Sequence, residues 1–159
     1  MAAKLRPAVE ADLAAIQEIV RTAYSAYVAR IGREPGPMLD DYAALIAQHC
    51  AYVAELHGAS VGILILIPQT NSMLLDNVAV APEAQGIGLG RQMLSFAESR
   101  ARDAGYRVIE LFTNEAMVEN IKLYSRLGYV ETDRKEEHGL RRVYMRKCIA
   151  KSIDSKIAS

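Results

Sequence analysis

Gln85-Gly86-Ile87-Gly88-Leu89-Gly90 sits between a strand-like run and a helix-like run, and the rest of the chain is read outward from it. Upstream lies the apolar run Met73-Leu74-Leu75-Asp76-Asn77-Val78-Ala79-Val80, followed by Ala81-Pro82-Glu83-Ala84. Downstream, residues 91–104 carry apolar side chains at Met93, Leu94, Ala97 and Ala101, a 3.6-residue period that predicts a helix. Three glycines at the opening of a helix let the backbone approach a ligand with no side chains in the way. First-turn N–H groups lack intrahelical partners and sit at the positive end of the helix dipole. Residues 85–91 therefore predict an anion cradle, with phosphate as its usual occupant.

Spacing separates this cradle from two common ones. A P-loop needs a Lys and a hydroxyl residue after its last glycine, where this chain has Arg91-Gln92. A dinucleotide fingerprint, counted from Gly86 and Gly88, requires a third glycine where Arg91 stands, and it closes the first strand of its domain. The pattern that does fit is Gln85-x-x-Gly88-x-Gly90.

Outward from the cradle, residues 5–9 read as a short strand, and Asp12 as the N-cap of a helix reaching about Tyr27. Residues 31–37, with two prolines and two glycines, break the pattern before a second helix over 39–49. Residues 51–56 and 61–68 predict two strands around a turn at 57–60. A strand over 106–113 carries a single acid, Glu110, and a helix over 119–127 stops at Gly128. A last hairpin pairs 129–134 with 142–146. The sum is an α+β fold with a mixed, mostly antiparallel sheet: one domain over residues 1–147 and a tail over 148–159. Ile149, Ile153 and Ile157 in that tail are spaced for a short amphipathic helix that docks, joins a dimer or frays.

Composition narrows the function classes. The chain has 159 residues, 51% hydrophobic and 24% charged, enough for a core of its own. Nineteen basic residues balance 19 acidic ones, which removes the electrostatic case for nucleic acid. The longest apolar run, 61–68, is too short to span a bilayer, and residues 1–6 lack a charged-then-apolar leader pattern. Cys50 and Cys148 have no metal-ligand spacing, and no metal is expected. Cys50 beside His49 reads as a buried apolar thiol next to a surface imidazole. A cytoplasmic address follows as the expectation.

Three motifs in order now carry a resemblance. The cradle with its preceding strand and Val80-Ala81-Pro82 step resembles the fourth strand and pyrophosphate loop of the GNAT superfamily of acyl-coenzyme A-dependent N-acyltransferases. Asn120-Ile121-Lys122-Leu123-Tyr124-Ser125-Arg126-Leu127-Gly128-Tyr129 is similar to that family's helix ending in Tyr-x-x-x-Gly-Phe/Tyr, and residues 6–12 to its opening strand and first helix cap. The resemblance implies six to seven sheet strands flanked by about four helices in three layers. It implies acetyl-coenzyme A as co-substrate and a primary amine as acceptor: a small molecule, an amino acid or a peptide N-terminus. Homodimers are common in such a family.

The resemblance assigns site residues as well. The pyrophosphate is expected on the backbone N–H groups of Gly86, Ile87, Gly88, Leu89 and Gly90, with Gln85 and Arg91 at the rim. The pantetheine arm is expected along the edge of residues 77–80, through Val78, Ala79 and Val80, where that strand splays from the strand containing Glu110. Tyr124 occupies the family's acid position, since a phenol can protonate a departing thiolate. An amine is mostly protonated at neutral pH, so its proton needs an acceptor. Asp76, Glu110 and a relay of ordered waters are the candidates. Asn120, one helical turn before Tyr124, is expected to reach the arm, while Met117 stands where many members have Asn; Asn114 is a further polar candidate. Tyr24, Tyr27, Arg30, Arg33, Glu34, Met38, Tyr42, His138 and Arg141 are the residues expected to wall the acceptor pocket. The rival reading is an acyl-coenzyme A-binding sensor or partner-binding module that keeps the cradle without catalysis. A nucleotide-binding domain of another class would need a phosphate-reading Lys or a ribose-binding acid that the chain lacks.

Overall fold

The computed structural model describes residues 3–32 and 36–149. Among the described residues, eleven strands and α-helices follow one another: β1 (Lys4–Pro7), α1 (Leu13–Ile31), α2 (Tyr42–Ala47), β2 (Ala51–Leu56), β3 (Ala59–Pro68), β4 (Met73–Val80), α3 (Leu89–Asp103), β5 (Val108–Asn114), α4 (Val118–Arg126), β6 (Val130–Glu137) and β7 (Leu140–Cys148). The strands form one seven-stranded sheet in the order β1-β2-β3-β4-β5-β7-β6. Registered pairs β1–β2, β2–β3, β5–β7 and β6–β7 are antiparallel, and β4–β5 is parallel. The expected α+β fold with a mixed, mostly antiparallel sheet is therefore present.

The residues fall into two compact units, with boundaries at Leu66/Ile67, Leu75/Asp76 and Phe96/Ala97, that is, inside β3, β4 and α3. In the first unit, Ile16 of α1, Val53 of β2, Ile63, Leu64 and Ile65 of β3, and Met93 and Leu94 of α3 are almost wholly withdrawn from water. Each such side chain contributes about 1.5–3 kcal/mol of apolar burial. In the second unit the same place is taken by Ile109 and Leu111 of β5 and Val143 and Met145 of β7. Residues 130–136 of β6 are all exposed, and six of the eight residues of that strand are charged.

Several boundaries differ from the sequence expectation. β1 ends at Pro7 rather than at residue 9, and a single 3-10 turn, Glu10–Asp12, leads into α1. Asp12 does not cap α1 with its side chain, as the sequence suggested. Its carboxylate accepts from the Val9 N–H at 2.7 Å and holds Arg6 bidentately, at 2.8 and 2.9 Å, while Arg6 Nε reaches Glu55 of β2 at 2.5 Å. The charged partner outcompetes the helix N–H groups because a two-point guanidinium–carboxylate pair is stronger than a neutral cap. α1 runs on to Ile31 and closes on Gly32, whose φ of 87° is left-handed. α2 is shorter than predicted, capped by Asp41 through the Ala44 N–H at 3.1 Å. The last hairpin is longer, because His138 and Gly139, both at positive φ, make a two-residue turn. Arg33, Glu34 and the tail residues Ile153 and Ile157 lie outside the described residues.

The Arg6 guanidinium and the Val9 N–H hold the Asp12 carboxyl below its ordinary range. A depressed folded pKa stabilises the fold above the unfolded value of about 3.9 and loses that contribution as pH falls through the lower folded value. Asp12→Asn should therefore cost about 1–2 kcal/mol at pH 7. The difference from the parent chain should vanish on acidification from pH 5 to pH 2, read as urea midpoints at each pH. A difference constant with pH would show that the charge of Asp12 contributes nothing.

Candidate active site

Residues 73–96 hold the glycine loop read from the sequence as an anion cradle. The alternation along β4 buries Met73, Leu75, Asn77 and Ala79 and leaves Leu74, Asp76, Val78 and Val80 half-buried. The β4–β5 register runs Met73↔Ile109, Leu74↔Glu110 and Leu75↔Leu111. After Val80, the 3-10 turn Pro82–Ala84 ends on Gln85, whose Nε2 donates back to the Val80 carbonyl at 3.1 Å and closes the loop. Gly86 and Gly88 then take φ of 84° and 83°, a region that favours glycine. Leu89 turns inward as the loop's apolar anchor, 3% exposed, and Ile87 turns outward.

A Cβ built on Gly86, Gly88 or Gly90 would meet no atom within 4 Å, so the space above the loop is open. No hydrogen bond among the described residues engages the backbone N–H groups of residues 86–91; the first helical bond is Gln92 N–H to Gly88 O at 3.1 Å. The first turn of α3 holds no acidic residue, and Arg91 stands exposed there without an ion pair among the described residues. The loop thus presents adjacent donors, a helix-dipole terminus and a guanidinium with no carboxylate to offset them. These residues fit a diphosphate.

A buried polar chain adjoins the same strand. Asn77, 4% exposed, accepts at Oδ1 from the Tyr24 hydroxyl of α1 at 2.5 Å and donates through Nδ2 to the Tyr42 hydroxyl of α2 at 2.9 Å. The Tyr42 hydroxyl in turn donates to the Pro37 carbonyl, and the Tyr24 hydroxyl lies 3.4 Å from the Val78 carbonyl. Tyr24 and Tyr42 were expected as pocket walls; both are buried and committed to Asn77 instead. Asn77 itself was read only as backbone. The period-2 alternation placed it on the buried face of β4, where an amide must find partners, and that was the signal to use. Burial and the nearby charges of Asp40 and Asp76 push the Tyr42 phenol well above its ordinary range. Burial and Asp76 likewise raise the Cys50 thiol, which disfavours the thiolate.

The second unit places the remaining candidates. Glu110 accepts from the Ser72 hydroxyl at 3.1 Å and lies across from Leu74, inside the registered stretch of β4 and β5. Tyr124 of α4 is 7% exposed and meets Tyr129 edge-on, with ring centroids 5.8 Å apart. α4 stops as expected at Gly128, φ 99°, with the Tyr129 N–H returning to the Tyr124 carbonyl at 3.0 Å. Asn120 is half-buried one turn before Tyr124, and its side chain makes no hydrogen bond among the described residues. Asn114 is occupied as a turn cap on the Ala116 N–H at 2.9 Å, Met117 is buried, and Arg141 pairs with Glu115 at 3.1 Å. Tyr27 carries Arg30 over its ring at 4.8 Å, Met38 is half-buried, and His138 is exposed at its hairpin turn. The described residues contain no cluster of His, Cys, Asp or Glu suited to a metal, and no helix long and apolar enough to cross a membrane.

Tyr129 supplies one orphan: its hydroxyl is buried with no partner among the described residues. Burial, Glu98 and Tyr124 all push that phenol upward. A buried donor without an acceptor costs about 1–3 kcal/mol, so deleting it removes a penalty. Tyr129→Phe should leave the thermal midpoint unchanged or raise it by about 2–4 °C. A lowered midpoint would mean that the hydroxyl is engaged in solution.

The family model described as an acetyltransferase (GNAT) domain matches residues 47–131. Among curated proteins, mycothiol acetyltransferase of Cellulomonas flavigena is 34% identical over 55 residues, a stretch covering 35% of this chain and 16% of that protein. Among solved structures, a phosphinothricin acetyltransferase from Sinorhizobium meliloti in complex with acetyl-coenzyme A superposes with a TM-score of 0.72 at 26% identity, covering 94% of this chain and 90% of that one. A ribosomal-protein-alanine N-acetyltransferase from Brucella melitensis superposes with a TM-score of 0.72 at 25% identity, covering 91% and 99%.

Proposed function

Since the chain belongs to the GNAT acetyltransferase family, we propose that it moves an acetyl group from acetyl-coenzyme A to a primary amine by direct attack within a ternary complex. One observation carries the reading: β4 delivers the chain into a glycine loop, with Gly86 and Gly88 at left-handed φ, whose N–H groups are unengaged among the described residues. In the proposed complex an amide-bearing arm lies along residues 77–80, whose Val78 and Val80 carbonyls also meet Tyr24 and Gln85, and its phosphates lie on residues 86–91.

Acetyl-coenzyme A supplies the acyl group as a thioester. In the proposed reaction the amine nitrogen bonds to the acyl carbon and the carbon–sulfur bond breaks. Asp76, half-buried on β4, takes the amine's proton directly or through water. Glu110, already engaged by Ser72 in the paired stretch, is the weaker base candidate. The Tyr124 hydroxyl gives its proton to the departing sulfur, and Asn120 holds the arm one turn earlier on α4. The relatives are named a mycothiol acetyltransferase, a phosphinothricin acetyltransferase and a ribosomal-protein-alanine N-acetyltransferase, so the amine is an open variable of the proposal.

Calorimetric titration with acetyl-coenzyme A, coenzyme A, ATP and NAD tests the donor. A panel of phosphinothricin, spermidine, free amino acids and an alanine-terminated peptide, followed by thiol release, tests the acceptor. Selective coenzyme A binding with amine-dependent thiol release is the expected result. Binding without turnover would favour a sensor, and no coenzyme A binding would end the proposal.

A further inference from the structure

We propose that the hydrogen-bonded chain Tyr24–Asn77–Tyr42–Pro37 is an acceptor-side latch, with Asn77 as a positioning residue that fixes the turn Gly36–Leu39 against β4. The inference rests on the transferase reading. With phosphates at residues 86–91 and the arm following β4 from Val80 back toward Asn77, the acetyl end is the Asn77 end. An amine arriving there meets what Asn77 ties together: α1 through Tyr24, α2 through Tyr42, and the turn that precedes α2 through Pro37.

The amide is chemically required. Asn77 both accepts and donates, so the Tyr24 hydroxyl can donate to it while the Tyr42 hydroxyl accepts from it and still donates onward to Pro37. A carboxylate at the same place can only accept. The Tyr42 hydroxyl would then turn its single proton toward residue 77 and release the Pro37 carbonyl. The Tyr24 contact, and with it the approach to the Val78 carbonyl, would survive. Asn77→Asp is therefore a nearly isosteric change that unfastens the turn while sparing the cofactor strand.

The test compares the parent chain with Asn77→Asp and, because a buried carboxylate can unfold a protein, with Tyr42→Phe, which deletes the same donor without adding charge. The first readout is activity with the best acceptor of the amine panel. The KM for the amine should rise about tenfold, with the dissociation constant for acetyl-coenzyme A changed less than about twofold. The second readout needs no reaction: amide hydrogen exchange over residues 38–42 should accelerate about tenfold in both variants, with residues 76–80 unchanged. Faster exchange with an unchanged amine KM would overturn the acceptor role. Unchanged exchange in both variants would overturn the latch itself. Failure of the transferase reading is visible separately, as a parent chain that binds no acetyl-coenzyme A.

Discussion

Gly88→Asp is expected to weaken coenzyme A binding by about 100-fold or more while leaving the chain folded. Crowding is not the cause, because a Cβ at Gly88 meets nothing within 4 Å. Two other effects combine. The backbone there has φ of 83°, which costs a side-chain-bearing residue about 1–3 kcal/mol when the loop must be held in place. The new carboxylate stands among the N–H groups of residues 86–91, occupying the anion cradle with the wrong anion and repelling the right one. Gly90→Ala is the control. Gly90 has no positive φ and equal room, so titration of that variant should show binding near the parent value. Normal binding by Gly88→Asp would remove the loop from the ligand site.

Tyr124→Phe is expected to lower kcat by about 100-fold, within the range for loss of a positioned proton donor, with the acetyl-coenzyme A dissociation constant unchanged. The phenyl ring keeps the edge-on packing with Tyr129, so the loss reports the hydroxyl alone. The loss should shrink when the leaving thiolate needs no proton, so a coenzyme analogue with a more acidic thiol should recover part of the rate. A kcat equal to that of the parent would exclude Tyr124 as the acid.

Local patterns carried much of this architecture. β2 has the boundaries predicted for it, Ala51–Leu56, because its apolar run is bounded by turn residues on a scale the chain itself displays. The glycine loop between β4 and α3 was legible for the same reason: strand, proline, glycines and helix are consecutive. What escaped was set by distant partners. Asp12 looks like a helix cap until Arg6 and Glu55 close around it. Asn77 meets a tyrosine 53 residues away and another 35 away, and nothing in the neighbouring letters names them. The hydrogen bond from Ser72 to Glu110 spans 38 residues and was equally out of reach of the neighbouring letters.

The two outer strands of the sheet have a consequence for how the protein behaves in a crowd of its own copies. β1 is only four residues long and ends in a proline, and β6 carries four acids and two bases along a ladder interrupted between Glu131 and Asp133. Neither rim offers a long, flat template for another chain, so runaway strand-on-strand polymerisation has no starting place there. If one interior strand takes an extended amide guest, as proposed, inhospitable borders keep that invitation private. Replacing the charges of β6 with threonine and valine would open such a border, and turbidity on concentration would record it.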